Sequence, residues 1–141
     1  EEDAMKINKE IIKPFFIIIP HILSTRMIWF GDKYHVMMAY GYEILNNPLS
    51  LICITMYTII NLLQINKIKK EIFSLFSLTV LFMYEIIECF VWYIYTITGK
   101  FDFRFAVDSI RIGYVIGVIT LLLPIILRYK KIKENYNKTK S

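Results

Sequence analysis

Four long apolar stretches divide the chain, each bounded by a short polar break. A bilayer core takes about 20 apolar residues as a helix, and that length locates the candidate crossings. The first runs from about Ile11 to Phe30 and contains Pro14 and Pro20, which predict a kink or a late start. The second runs from about Pro48 to Ile65. Ahead of it HVMMAYGYEIL is amphipathic and ends at Asn46-Asn47-Pro48, where proline disfavours helix at Asn47. This segment is expected as a short interfacial or half-membrane helix leading into the second crossing. The third crossing is expected over Ile72–Ile97 and the fourth over Phe105–Leu127.

Bulk composition agrees with this pattern. The chain has 141 residues, 56% of them hydrophobic, and a mean hydropathy of +0.48. That suits one small domain of the all-α, polytopic membrane class, with a transmembrane domain over 1–128 and a basic tail over 129–141. The net charge of +5 comes from basic residues between and after the apolar runs. No segment interleaves aromatic and basic residues in polar sequence, so no nucleic-acid partner is expected.

Charge also sets the expected orientation. NKIKKE, the tail from Arg128 and the N-terminal MKINKEIIK are all basic and belong on the cytoplasmic side. Four crossings place all three there, with both termini cytoplasmic. Trp29, Tyr34, Trp92, Tyr93 and Tyr95 then fall toward the outer ends, as an interfacial aromatic belt. The setting is an integral membrane location, a bacterial cytoplasmic membrane ahead of an organellar one. The acidic start EEDAMKINKE does not read as a signal peptide, and Met5-Lys6 reads as a start of its own.

The ionisable residues within these runs are the candidate chemistry. His21 lies midway along the first crossing and Arg26 near its outer end. His35 and Glu43 lie in the segment that begins outside. Glu85 and Glu88 share a helix face at i,i+3, as do Asp108 and Arg111. A charge at bilayer depth costs several kcal/mol, so these groups are expected to meet one another rather than face lipid. The expected site is an outward-facing polar pocket of Glu85, Glu88, Asp108 and Arg111, with His21, Arg26 and His35 near its rim. The same charges also suit a structural salt-bridge network that fixes helix register, and both readings stay open.

Other features add less. Cys53 and Cys89 sit in apolar runs without a CxxC and read as small buried residues. Gly113 and Gly117 form a GxxxG that permits close helix packing within the bundle, with another subunit or in a homo-oligomer. His21 and His35 suggest a haem or quinone anchor only as an alternative, and no cofactor is expected. Soluble-type catalytic motifs are absent, although paired carboxylates can in principle activate one water.

Three of these stretches carry a resemblance. His35 in GDKYHVMMAYG, Glu85 and Glu88 in YEIIE, and Asp108 with Gly113 and Gly117 in FDFRFAVDSIRIGYVIG resemble the VanZ-like group of small membrane proteins, in patches from about Asp32 to Gly117. The family's Asn after the Asp is missing here, with Arg111 nearby, and Glu88 stands where glutamine is common. The resemblance implies a small envelope protein, in some members linked to glycopeptide-antibiotic resistance. FRFAVDSIRIG is also similar to the last motif of signal peptidase II. The preceding stretch WYIYTIT lacks the second acid that such a peptidase needs. The leading expectation is therefore binding without turnover, of a lipid headgroup, an amphiphile or a partner helix. The rivals are an accessory subunit of a membrane complex and an intramembrane hydrolase.

Overall fold

The computed structural model describes residues 2–31, 38–63, 65–97 and 103–140. The described chain is mostly helical. Its elements are α1 (Glu2–Ser24), β1 (Ile28–Gly31), β2 (Met38–Tyr40), α2 (Gly41–Leu45), α3 (Pro48–Leu62), α4 (Lys67–Ile97), α5 (Phe103–Ser109) and α6 (Ile112–Lys140). α4 packs against α3 on one side and α6 on the other, and α6 packs in turn against α1.

Local chemistry explains most of the boundaries. α1 stops at Ser24, short of the expected Phe30. The Ser24 and Thr25 hydroxyls donate to the carbonyls of His21 and Ile22, both at 2.6 Å. Three tight main-chain turns follow, through the amides of Thr25, Arg26 and Met27. Carbonyls that would otherwise be orphaned at the helix end are satisfied in this way. The chain then extends into β1, which pairs antiparallel with β2 and carries an irregularity between Ile28 and Phe30. The expected interfacial helix is thus replaced by a strand and the five residues of α2, capped by the Glu43 carboxylate accepting from the Tyr40 amide at 2.8 Å.

The break at Asn47 is where proline places it. Asn47 is extended, caps α3 by accepting from the Ser50 amide at 3.1 Å, and is followed by Pro48 at the first turn. The expected fourth crossing is divided. α5 ends at Ser109, Ile110 bridges to Phe30, and the Arg111 amide donates to the Trp29 carbonyl at 2.9 Å. Here the strand pair is stitched to the start of α6. The helix then runs through the basic segment to Lys140 instead of ending at Leu127.

Trp29 sits at the centre of this junction, fully buried rather than in an outer aromatic belt. Its indole N–H donates to the Ser24 carbonyl at 2.9 Å, and its ring meets Tyr114 edge-on at 5.8 Å. Gly41 and Gly117 make room for it. A Cβ on Gly41 would come within 2.3 Å of the indole, and one on Gly117 within 2.7 Å. A Cβ on Gly113 would meet the Ile28 carbonyl at 2.4 Å. Both glycines of the GxxxG are therefore filled by this chain's own hairpin.

Two helical segments are long and apolar enough to cross a membrane, Lys67–Phe90 of α4 and Ile112–Asn137 of α6. The other apolar helices, Ile12–Ser24 and Pro48–Leu62, are shorter. The length criterion for a crossing is thus met by two helices, not by the expected four. The apolar part of α1 falls short because the chain turns beyond Ser24 and becomes strand at Ile28, and α3 because the chain turns extended at Leu63.

Candidate functional site

The described ionisable residues do not form one pocket. They separate into a buried pair, a cavity flanked by two arginines and a polar network at the far end of α4.

Glu85 of α4 is fully buried, and the His21 side chain of α1 is almost as enclosed. Nε2 of His21 lies 2.8 Å from Oε1 of Glu85. The other ring nitrogen, Nδ1, is 3.0 Å from the Gly117 carbonyl of α6. A carbonyl offers only lone pairs, so Nδ1 carries a hydrogen and donates. Nε2 is then a lone pair facing a carboxylic acid or an N–H facing a carboxylate. In either of these two forms the pair is neutral as a unit, which makes its burial tolerable. Glu85 is held at its backbone too, where its carbonyl accepts from the Tyr114 hydroxyl at 3.1 Å. The Nε2–Oε1 contact is close without good hydrogen-bond alignment, and Glu85 Oε2 has no hydrogen-bond partner among the described residues. Glu85 thus ties α4 to α1 through its carboxylate and to α6 through its main-chain carbonyl.

The remaining expected site residues lie apart from this pair. Glu88, one turn further along α4, is half-buried and faces the Tyr84 hydroxyl. It makes no hydrogen bond to the Glu85 carboxylate. Asp108 is exposed on α5. Arg111 binds through Nη1 to the main-chain carbonyls of Asp108 (3.2 Å) and Ile110 (3.5 Å). Arg26 is exposed in the turn after α1 and lines the same cavity as Arg111. His35 lies outside the described residues.

A second buried cluster is built from charges that the sequence pattern places in a loop and the tail. Arg128 of α6 and Glu71 of α4 form a buried ion pair. Arg128 also donates to Asn61 Oδ1 at 2.8 Å and to the Tyr57 hydroxyl at 3.4 Å. Asn61 donates to Ser74 Oγ at 3.1 Å, and the Tyr57 hydroxyl donates to the Pro14 carbonyl at 3.0 Å. Lys131 reaches the second Glu71 oxygen at 3.2 Å. The network joins α1, α3, α4 and α6 at one end of the bundle. The signal for it is helical spacing: Glu71, Ser74, Leu78, Leu81 and Glu85 recur every three or four residues, and all are buried. Tyr114, Gly117, Leu121, Pro124 and Arg128 repeat the pattern on α6.

Between the two clusters lies a mostly apolar cavity of about 350 Å³. Its walls come from α1 (Phe15, Ile18, Ile22), α3 (Ile54, Tyr57) and α4 (Leu78, Leu81), and His21 reaches it. Both ring nitrogens of His21 are engaged, so a haem iron would have to displace an existing contact. Among the described residues no group of three His, Cys, Asp or Glu side chains can hold a metal ion. Cys53 and Cys89 are free and buried. Comparison with family models, curated proteins and solved structures finds no match to this chain.

Proposed function

We propose that this is an integral membrane protein that binds an amphiphile in the cavity between α1, α3 and α4, without turnover. The membrane reading is supported by an interior more polar than the surface. His21, Asn61, Glu71, Glu85 and Arg128 are buried, while Phe16, Leu51, Ile119 and Leu123 are more than half exposed. In water that arrangement leaves large apolar side chains unburied; in lipid it is the expected one. In this reading α1, α3, α4 and α6 all cross, with both termini on the cytoplasmic side, and α1 is extended by Trp29, Phe30 and Gly31, which are covered by protein rather than lipid.

The cavity is the single observation that carries the binding role. It is apolar, of ligand size, and carries a few polar groups, as binding sites commonly do. Thr25 and Thr58 both line it, and each donates its hydroxyl proton to a main-chain carbonyl. Both hydroxyls then present only lone pairs to the cavity, whose other walls are mostly apolar and suit an acyl chain. A VanZ-like envelope role, implied by the sequence resemblance, fits such binding.

Native mass spectrometry of the gently extracted protein tests this reading. The expected result is a discrete lipid-sized adduct that is lost when Leu51→Trp or Ile54→Trp fills the cavity. Fixed stoichiometry with other chains, and no adduct, would favour the accessory-subunit reading instead.

A further inference from the structure

The lining of the apolar cavity changes character along its length. At one end Tyr57 closes it against α1. The Tyr57 hydroxyl donates to the Pro14 carbonyl at 3.0 Å and accepts from Arg128 at 3.4 Å, so it is committed to protein. The wall on α1 runs from Phe15 to Thr25, ten positions or about 15 Å of helix. A volume of about 350 Å³ spread over that length is a narrow slot.

The other end is polar but uncharged. Thr25, Tyr42 and Asn46 line it. The Tyr42 amide donates to the Thr25 carbonyl at 2.9 Å, and Asn46 caps the C-terminus of α2 one turn after Tyr42. Tyr42 and Asn46 are exposed, which makes this end the mouth. The Tyr42 ring is held by stacking on Tyr40, with ring centroids 5.5 Å apart.

No Asp, Glu, Lys or Arg lines the cavity among the described residues. His21 reaches it as half of the neutral pair with Glu85. The charges next to the mouth in sequence are placed elsewhere. Arg26 lines a different cavity, and the Glu43 carboxylate accepts from the Tyr40 amide at 2.8 Å. A phosphate, carboxylate or ammonium drawn into this slot would lose water without gaining a counter-charge, a cost that an uncharged head avoids. A tyrosine hydroxyl and an asparagine amide each donate and accept, and Thr25, its proton given to Ile22, accepts. The matching head also donates and accepts, as an alcohol hydroxyl does.

We propose that the cavity takes one acyl chain of an uncharged, hydroxyl-headed lipid, with the hydroxyls at Thr25, Tyr42 and Asn46. This rests on the amphiphile-binding reading and adds the class of ligand.

Three lipids with the same oleoyl chain would be offered in turn to the full chain in detergent: monooleoylglycerol, methyl oleate and oleoyl lysophosphatidylglycerol. Native mass spectrometry counts the lipid retained. The expected result is retention of monooleoylglycerol about tenfold above either of the others. Tyr42→Phe keeps the aromatic stack and removes one hydroxyl, and Asn46→Ala removes the amide. Each should lower monooleoylglycerol retention about three- to tenfold, toward that of methyl oleate. Both residues are exposed, so either variant serves if the other fails to fold. Leu51→Trp should displace all three lipids. Equal retention of the three, all lost in Leu51→Trp, overturns the hydroxyl-headed ligand and leaves the amphiphile site standing. Retention of the lysophospholipid or of methyl oleate at or above that of monooleoylglycerol overturns it too. A monooleoylglycerol preference that survives both Tyr42→Phe and Asn46→Ala puts the head elsewhere and overturns the proposal. Retention of none of the three overturns the amphiphile reading and the proposal with it.

Discussion

Nε2 of His21 on α1 lies 2.8 Å from Oε1 of Glu85 on α4, and the opposite edge of the same imidazole is fixed on the Gly117 carbonyl of α6. One ring therefore spans three helices, and its value to the fold depends on both partners being present. Glu85→Ala should cost about 3–5 kcal/mol, because it strands a buried imidazole. Replacing the pair together, His21→Leu with Glu85→Met, should cost much less than the two single changes summed. Reversible unfolding in mixed detergent micelles, run as a double-mutant cycle, measures the difference.

The Glu71–Arg128 pair should behave similarly and its outlying lysine should not. Arg128→Ala leaves Glu71 buried and Asn61 short of a donor, and should cost about 3 kcal/mol or more. Lys131 is nearly half exposed, so Lys131→Ala should cost at most about 1 kcal/mol. Equal losses from the two would refute the distinction between a buried network and a surface contact.

Trp29 and Gly117 should couple. A methyl on Gly117 would press on the indole, so Gly117→Ala should destabilise by about 1–3 kcal/mol. In a Trp29→Ala background the same change should cost far less, because the space is then vacant. Thermal unfolding of the four variants would show additivity if the contact has no importance.

Asn47→Ala should shorten or fray the start of α3 and cost about 1 kcal/mol. Asn47→Asp, which keeps the accepting oxygen, should restore most of that loss. Hydrogen exchange at the Ser50 and Leu51 amides reports the cap directly.

Orientation is checked by single cysteines labelled from one side of sealed vesicles. Lys69→Cys and Lys133→Cys should react from the same side, and Arg104→Cys from the other. The native Cys53 and Cys89 are buried and should contribute little background. Labelling of all three from one side would contradict four crossings.

Helix positions were legible where periodicity and proline act alone. The break at Asn47 followed from Pro48, and burial of Glu85 followed from the cost of placing a lone charge among apolar side chains. Its partner was harder to identify. His21, Arg26, Arg111 and Glu88 all lay at suitable depth, and depth alone does not say which faces turn together. The strand pair was missed because Met27 to Phe30 and Met37 to Tyr40 are apolar enough to extend neighbouring helices. Only Gly31-Asp32-Lys33 between them hinted at a reversal. Glu71 and Arg128 were assigned to loop and tail because a positive-inside reading treats flanking charges as topological markers. Their three-and-four spacing with Ser74 and Leu121 was the more informative signal.

Glu71 and Glu85 stand fourteen positions apart on α4, about 21 Å along a helix axis. Each is fastened to α6: one to Arg128 directly, the other through the Tyr114 hydroxyl on its carbonyl. A single fastening lets two rods pivot, but two at that separation do not. Sliding α4 along α6 by one turn, about 5.4 Å, would break both at once, and rolling either helix would break at least one. α4 and α6 therefore form a stiff spar. Any opening that admits a ligand then falls to α1 and α3, the two short helices that line the apolar cavity.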